Sequence, residues 1–296
     1  MTLSEIQQAW FERAAADPKR IVLADVGDDR AREAADRLRA EGLVEPIILD
    51  DLDLYRTPAV VEAASGLERA NLDDPLHVAT LMVRVGEADG CVAGATRPTA
   101  DVLRASIFLL GVASGVDTIS SCFLFVLPDG TPIVYGDCGV VPDPTAAELA
   151  SIAVSSAATF AGLTGQRAHV AMLSFSTKGS AEHPRVYKVR QATRIAEELA
   201  PELSLDGELQ FDAAWVPAIA ETKAPYSEVA GRANVFIFPD LDSGNIAYKI
   251  TERLGGALAF GPLLQGVDGV IHDLSRGCSA DDIVNVAVIA ALQAQT

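Results

Sequence analysis

An α/β fold is predicted for this 296-residue chain, from three observations. Short runs of β-branched and apolar residues alternate with helix-length segments almost throughout, the pattern of parallel sheets covered by helices on both faces. Hydrophobic residues make up 49% and charged residues 22%, so a packed core is expected. The length suits two modest domains, and glycine-rich stretches at Gly111-Val-Ala-Ser-Gly115 and Gly261-Pro262 offer places for the chain to cross between them.

In chain order, strands are expected at Ile21–Ala24, Pro46–Leu49, Gly90–Gly94, Ile119–Leu127, Ile133–Gly136, His169–Phe175, Leu209–Ala213, Val235–Phe238 and Val267–Ile271. Helices are expected at Ala31–Glu41, Leu76–Val85, Thr99–Leu110, Ala146–Phe160, Arg185–Leu199, Asn245–Leu254 and Ala280–Ala294. One pair breaks the alternation. Ile119–Leu127 and Ile133–Gly136 are joined by Pro-Asp-Gly-Thr-Pro, which reads as a hairpin turn.

With 41 acidic against 23 basic residues, the formal net charge is −18. Such a surface repels nucleic acid and anionic membranes, so neither is expected as a partner. An anionic ligand would need a local cluster of arginine, lysine and backbone N–H groups. Cys91, Cys122, Cys138 and Cys278 are scattered, with no CxxC pair, and read as free thiols; no bound metal or cofactor is expected. The polar N-terminal segment lacks the apolar centre of a signal peptide, and no apolar run reaches about 18 residues. A cytoplasmic protein is expected.

Four constellations can carry chemistry. The run Asp273-Leu-Ser-Arg-Gly-Cys-Ser-Ala-Asp-Asp282 puts a hydroxyl (Ser275), a guanidinium (Arg276) and a carboxylate (Asp282) on one strand–loop–helix corner. Ser279-Ala-Asp-Asp282 also fits a helix-capping pair, so Asp282 is either a base or only a cap. Ser176-Thr-Lys-Gly179 follows a strand and resembles a phosphate-cradling loop carrying Lys178, though not a Walker A spacing. In Asp240-Leu-Asp-Ser-Gly-Asn245, Ser243 is a candidate cap, and the N–H groups of Ser243, Gly244 and Asn245 form a candidate anion site. In Gly94–Arg104, Thr99 or Asp101 is expected to cap a helix. Arg104 would then sit about one turn in, against the dipole, a placement that hints at anion binding.

Taken in order, Gly94–Arg104, Asp137–Pro144, Ser174–Ala181, Leu205–Asp212, Ala230–Asp240 and Asp273–Val284 resemble successive blocks of the phosphate acetyltransferase/phosphate butyryltransferase family. The resemblance implies two parallel-sheet α/β domains with an interdomain cleft, an isocitrate/isopropylmalate dehydrogenase-like architecture. The first domain would comprise residues 1–115 plus 263–296 and the second 116–262. It implies reversible acyl transfer between coenzyme A and phosphate, with coenzyme A as substrate rather than bound cofactor, in a homodimer. By position, Ser275 and Arg276 match residues that position the thiol and bind the acyl phosphate. Asp282 matches the proposed base and Arg104 an anion-binding arginine.

The chain departs from the family pattern in places. A basic helix usual before Asp73–Val85 is replaced by the acidic stretch Val60–Glu68, which leaves Arg56 or Arg97 to supply positive charge. Position 272 is His where Asn is usual, and Ala105 follows Arg104 where Pro is usual. A longer-chain acyltransferase and a silent acetyl-CoA-sensing homologue are the alternative readings.

Overall fold

A computed structural model describes residues 4–295. Helix α1 (Glu5–Ala16) opens with a reciprocal cap: Ser4 Oγ accepts the Gln7 N–H while the Gln7 side chain accepts the Ser4 N–H. Strand β1 (Arg20–Leu23), helix α2 (Asp29–Ala40) and strand β2 (Glu45–Ile48) follow. After a 3-10 turn at Leu52–Tyr55 come helices α3 (Pro58–Ser65) and α4 (Pro75–Arg84), strand β3 (Gly90–Ala93) and helix α5 (Thr99–Ala105). A π-helical turn, Ser106–Leu110, continues α5 until Gly111.

Strands β4 (Ser120–Val126) and β5 (Pro132–Gly136), helix α6 (Ala146–Thr164), strand β6 (His169–Leu173) and helix α7 (Pro184–Leu199) come next. Strand β7 (Ser204–Leu209), helices α8 (Phe211–Trp215) and α9 (Pro217–Lys223), strand β8 (Val235–Ile237) and helix α10 (Leu241–Arg253) complete this stretch. The chain ends through β9 (Leu258–Gln265), β10 (Ile271–Asp273) and α11 (Ala280–Gln293). It divides into two compact units, Met1–Gly115 with Phe260–Thr296, and Val116–Ala259.

In the first unit the strand order is β10-β3-β1-β2, and all pairs are parallel. The chain leaves β1 towards β2 and later returns to β1's other side with β3. The strand order therefore reverses between β1 and β3, and in open α/β sheets such a switch point, at the carboxyl ends of the strands, is where ligands bind. Helix α11 is buried along most of its length, packing on α1, α2 and β3. Burying each large aliphatic side chain here contributes about 1.5–3 kcal/mol. The N-terminal helix joins this core through Trp10, which meets Phe260 edge-on at 5.1 Å.

In the second unit the order runs β7-β6-β8-β5-β4. Strands β5 to β8 pair in parallel, but β4 and β5 form the antiparallel hairpin expected from the turn sequence. The sheet is thus mixed, parallel apart from the expected hairpin. Phe123, Phe125, Tyr135 and Phe236 form its aromatic core, with Tyr248 stacked on Phe123 at 4.2 Å. Helix α6 is long and apolar enough to cross a membrane by composition, yet much of it is buried against α7 and β5, as in a core helix.

Two expected strands lie elsewhere. Leu209–Ala213 was expected as a strand, but β7 ends at Leu209 and Phe211–Trp215 is helical. The edge position of β7 tolerates its polar, glycine-containing sequence, which hid it. Val267–Ile271 is likewise not one strand. Gly266 (φ 78°) and Gly269 (φ 144°) break the chain, and β10 begins only at Ile271.

Candidate active site

At the end of β10 the buried Asp273 and Leu274 lead into an exposed loop, Ser275–Arg276–Gly277. A tight turn shapes it. Cys278 N–H donates to the Ser275 carbonyl at 2.9 Å, and Gly277 N–H donates to Ser275 Oγ at 3.2 Å. The Ser275 hydroxyl keeps its own proton to donate. The Arg276 guanidinium is exposed and has no acidic partner among the described residues. An unpaired guanidinium beside a hydroxyl can bind a phosphoryl group without first breaking an ion pair.

Asp282 closes a reciprocal cap at the start of α11. Its Oδ2 accepts the Ser279 N–H at 2.7 Å and the Ser279 hydroxyl at 2.9 Å, while its own N–H donates to Ser279 Oγ. The carboxylate is exposed, so capping leaves Oδ1 available to solvent or a ligand.

Hydrogen bonds tie the corner to its neighbours. Thr99 Oγ1 donates to Asp273 Oδ2, joining the start of α5 to the end of β10. Thr99 and Asp101 therefore do not cap α5; Pro98 occupies that position without a side-chain bond. Asp25, just after β1, accepts the N–H groups of Ala95 and Thr96 at 3.0 and 2.9 Å. Gly94 (φ 110°) permits this crowding, because a Cβ there would stand 2.2 Å from Asp273 Oδ1. Burial raises the Asp273 carboxyl to about 7, against the Thr99 hydrogen bond, and its Oδ1 has no hydrogen-bond partner. The unusual His272 is structural. Nδ1 accepts the Leu264 N–H at 3.2 Å, Nε2 meets Gln293 Oε1, and burial lowers its pKa to about 4.

Arg104 lies near the end of α5, but the π-helical turn carries the helix on to Leu110, so it sits mid-helix, beyond the first turn where the dipole opposes a cation, and the expected conflict is absent. Its Nε donates to the Ala100 carbonyl and its Nη2 to Asp101. It lines a cavity of about 460 Å³ with Arg69, Arg97, His77 and Phe108. Arg97 is held by Asp74 at 3.1 Å, and Arg69 lies 4.1 Å from the centre of the Phe108 ring. Three guanidiniums thus face one cavity together with Asp74 and Asp101, which pair with Arg97 and Arg104 and leave Arg69 as the guanidinium with no acidic partner among the described residues. Arg56 does not join them, being paired with Asp53 and Asp73 and bonded to the Leu72 carbonyl. Arg69 and His77 were not singled out in sequence. The only signal was the position of Arg69 directly after the acidic stretch.

In the second unit the presumed phosphate loop already holds an anion of the protein itself. Glu208 Oε1 accepts the Ser176 hydroxyl at 2.8 Å, the Gly179 N–H at 2.9 Å and Arg190 Nη2 at 3.0 Å. Arg190 Nε adds a bond of 2.7 Å to Oε2. Burial alone would raise this carboxyl, but Arg190, the Gly179 amide and the Ser176 hydroxyl lower it to about 2. Thr177 Oγ1 donates to Gln210 Oε1, and Lys178 Nζ is taken by Asp206 and the Gly207 carbonyl. The Ser176–Gly179 loop is therefore filled internally.

The turn before α10 is also engaged. Asp240, not Ser243, is its N-cap, accepting the Ser243 N–H at 2.9 Å, while Gly244 N–H donates to the Asp240 carbonyl. A Cβ at Gly244 would stand 2.2 Å from the Asp137 carbonyl, and Asn245 Nδ2 donates to the Cys138 carbonyl at 3.0 Å. Their N–H groups and side chains serve packing, which corrects the reading of Ser243–Asn245 as an open anion site.

Comparison with known proteins identifies the family. The family model for phosphate acetyl/butaryl transferase matches residues 61–291. A phosphate acetyltransferase of Acetivibrio thermocellus is 43% identical over 322 residues, covering 96% of this chain and 97% of its own. One from Thermoanaerobacterium thermosaccharolyticum is 43% identical over 331 residues, covering 98% and 99%. A solved phosphotransacetylase from Streptococcus pyogenes is similar with a TM-score of 0.90 at 41% identity, covering 100% of this chain and 99% of that one. With the family model spanning most of its length and relatives alike from end to end, the chain belongs to the phosphate acetyl/butaryl transferase family.

Proposed function

We propose that this protein is a phosphate acetyltransferase, an acyltransferase that interconverts acetyl-CoA and phosphate with coenzyme A and acetyl phosphate. The observation that carries the reading is the exposed, unpaired Arg276 beside the Ser275 hydroxyl, in a loop of the corner that Asp282 caps. The Ser275 hydroxyl holds the thiol in place, and Arg276 binds the phosphoryl oxygens of the acyl phosphate. The thiol sulfur attacks the acyl carbon and the bond from that carbon to the phosphate oxygen breaks. Asp282 takes the thiol proton and later returns it to the departing phosphate. Arg276 meets the charge that develops on that phosphate, where a fixed donor lowers the barrier most.

An ordinary thiol and carboxylate differ by about 4.5 pKa units, a mismatch of roughly 6 kcal/mol. Closing that gap requires a dry site in which Arg276 and the amides at the start of α11 favour thiolate. The cavity lined by Arg69, Arg97 and Arg104 suits the remaining anionic groups of coenzyme A and replaces the basic helix that the chain lacks. That cavity serves an enzyme and a silent sensor alike, since both bind coenzyme A. Turnover rests on the Ser275–Asp282 corner.

The same reading includes a first domain of residues 1–115 and 263–296, a second of 116–262, and an isocitrate/isopropylmalate dehydrogenase-like architecture. Its support is an all-parallel sheet assembled from both chain ends. A cytoplasmic homodimer completes it. Incubating the purified protein with coenzyme A and, separately, acetyl, propionyl and butyryl phosphates should give thioester absorbance, fastest with acetyl. Preference for butyryl phosphate would reassign the substrate, and coenzyme A binding without any thioester would leave a sensor.

A further inference from the structure

Arg30, in the first turn of α2, belongs to none of the constellations above, yet all five of its guanidinium N–H groups are engaged. Nη1 donates to the main-chain carbonyls of Arg276 at 3.0 Å and Cys278 at 2.8 Å, and approaches Cys278 Sγ at 3.8 Å. Nη2 donates to the Ala95 carbonyl at 2.9 Å. Nε and Nη2 bind the two oxygens of Asp28 at 3.0 and 2.6 Å, and Asp28 is itself the N-cap of α2. One planar group therefore joins the start of α2, the loop after β3 and the loop after β10. These are the segments at the carboxyl ends of β1, β3 and β10, where the strand order reverses.

The position is locally unfavourable, which points to a purpose. A cation in the first turn of a helix opposes the dipole, and Asp28 and Asp29 offset it. Of the three carbonyls that it holds, that of Arg276 belongs to an exposed residue and those of Ala95 and Cys278 to buried ones, and none lies in a paired strand. Ser275–Gly277 otherwise rests on two local turn bonds.

We propose that Arg30 is a positioning residue for acyl transfer: its guanidinium locks the backbone of Arg276 and Cys278, and so aims the Ser275 hydroxyl and the Arg276 side chain. The inference rests on the function proposed above. Lysine cannot substitute, since three donors on one nitrogen cannot span carbonyls lying in different directions. Misplacing reacting groups by about 1 Å costs on the order of 100-fold in rate. A positioning defect of this kind acts on kcat, because Arg30 itself touches no substrate.

The test uses Arg30→Ala and Arg30→Lys in the full chain, with acetyl phosphate and coenzyme A as substrates. Both variants should lose about 100-fold in kcat with KM for either substrate changed less than about threefold. Added guanidine should restore Arg30→Ala by at least about tenfold and leave Arg30→Lys unchanged. Amide exchange across residues 275–279 should rise in both variants, and guanidine should slow it again in Arg30→Ala. That last readout needs no turnover. If the wild type made no thioester, the functional reading would fall while loop anchoring was still decided by exchange. Unaltered exchange at 275–279 overturns the proposal. So does full activity in Arg30→Lys, or a loss confined to KM.

Discussion

Ser279 and Asp282 hold each other: the Asp282 carboxylate accepts both the N–H and the hydroxyl of Ser279, and Ser279 Oγ accepts the Asp282 N–H. Capping and catalysis therefore compete for one carboxylate, and they can be separated. Asn at 282 keeps an oxygen for the Ser279 donors, and losing a cap entirely costs only about 1 kcal/mol. Asp282→Asn should melt within a few degrees of the wild type. As the base it should lose about 10²-fold or more in kcat. Near-wild-type turnover would leave Asp282 as a cap alone.

Arg276 offers a sharper contrast, because its side chain has no structural partner to lose among the described residues. Arg276→Lys should not change the melting temperature. A point charge replaces a fork that spans two phosphate oxygens, so kcat should fall about 10²-fold, the usual cost of one lost oxyanion donor. Thermal melts and initial rates on the same preparation decide it. Unchanged kcat would remove Arg276 from the chemistry.

How much of this was legible in sequence varied with the range of the interaction. The capping pair Ser279/Asp282 and the hairpin turn before β5 are local, and local patterns carried them. The Ser176–Gly179 loop misled for a long-range reason. Its amides and hydroxyls do cradle an anion, but that anion is Glu208, some thirty residues on, which no loop pattern reveals. Ser243 failed as a cap because Asp240, three residues earlier, reaches its N–H first. Arg30 was hidden differently. In the run Gly27-Asp-Asp-Arg-Ala-Arg it reads as one more helix-surface charge, and its carbonyl partners lie about 65 and 248 residues away. Arg69 needed the fold to bring Phe108 and Arg97 beside it.

The cationic cavity predicts a binding defect without a chemical one. Arg69 touches Phe108 and no carboxylate, so its charge remains available to a ligand. Arg69→Met should raise KM for coenzyme A about tenfold and leave kcat within about twofold, the signature of lost uniform binding. The penalty should shrink as salt rises, since screening weakens the wild-type grip as well. Titrating KM against ionic strength tests this, and a fall in kcat with unchanged KM would count against it.

Glu208 is an internal replacement for a bound anion, so its removal should be felt in stability. Glu208→Gln leaves Arg190 without its counter-charge and weakens two bonds to the 176–181 loop. Glu208 is buried but Arg190 is only half-buried, so the cost falls below the roughly 3–5 kcal/mol of breaking a fully buried pair. The carboxyl sits at about 2 in the folded protein, below its ordinary 4.5. Its contribution is complete above about pH 4.5 and disappears as pH falls towards 2. Chemical denaturation at pH 7 and pH 3 should therefore show the gap between wild type and Glu208→Gln narrowing in acid. A constant gap would mean that charge plays no part.

Neighbouring residues on β10 give opposite pH dependences. His272 is held neutral with a pKa of about 4, below its ordinary 6.5, so between those values the unfolded chain binds the extra proton. Its contribution is complete above pH 6.5 and is lost as pH falls to 4. Asp273 is raised to about 7 from 3.8, so over that range the folded protein binds the extra proton instead. Its contribution is complete below pH 3.8 and is lost as pH rises to 7. In the wild type the two slopes largely cancel between pH 4 and 6.5. Substituting one residue should expose the other. His272→Asn should make unfolding free energy fall as pH rises from 4.5 to 7, whereas Asp273→Asn should make it rise from 4 to 6.5. Each unopposed slope approaches about 1.4 kcal/mol per pH unit, the value for one proton. Denaturant midpoints measured at half-unit steps separate the variants. Parallel curves for both would mean that these side chains titrate alike in the folded and unfolded protein, whatever their burial.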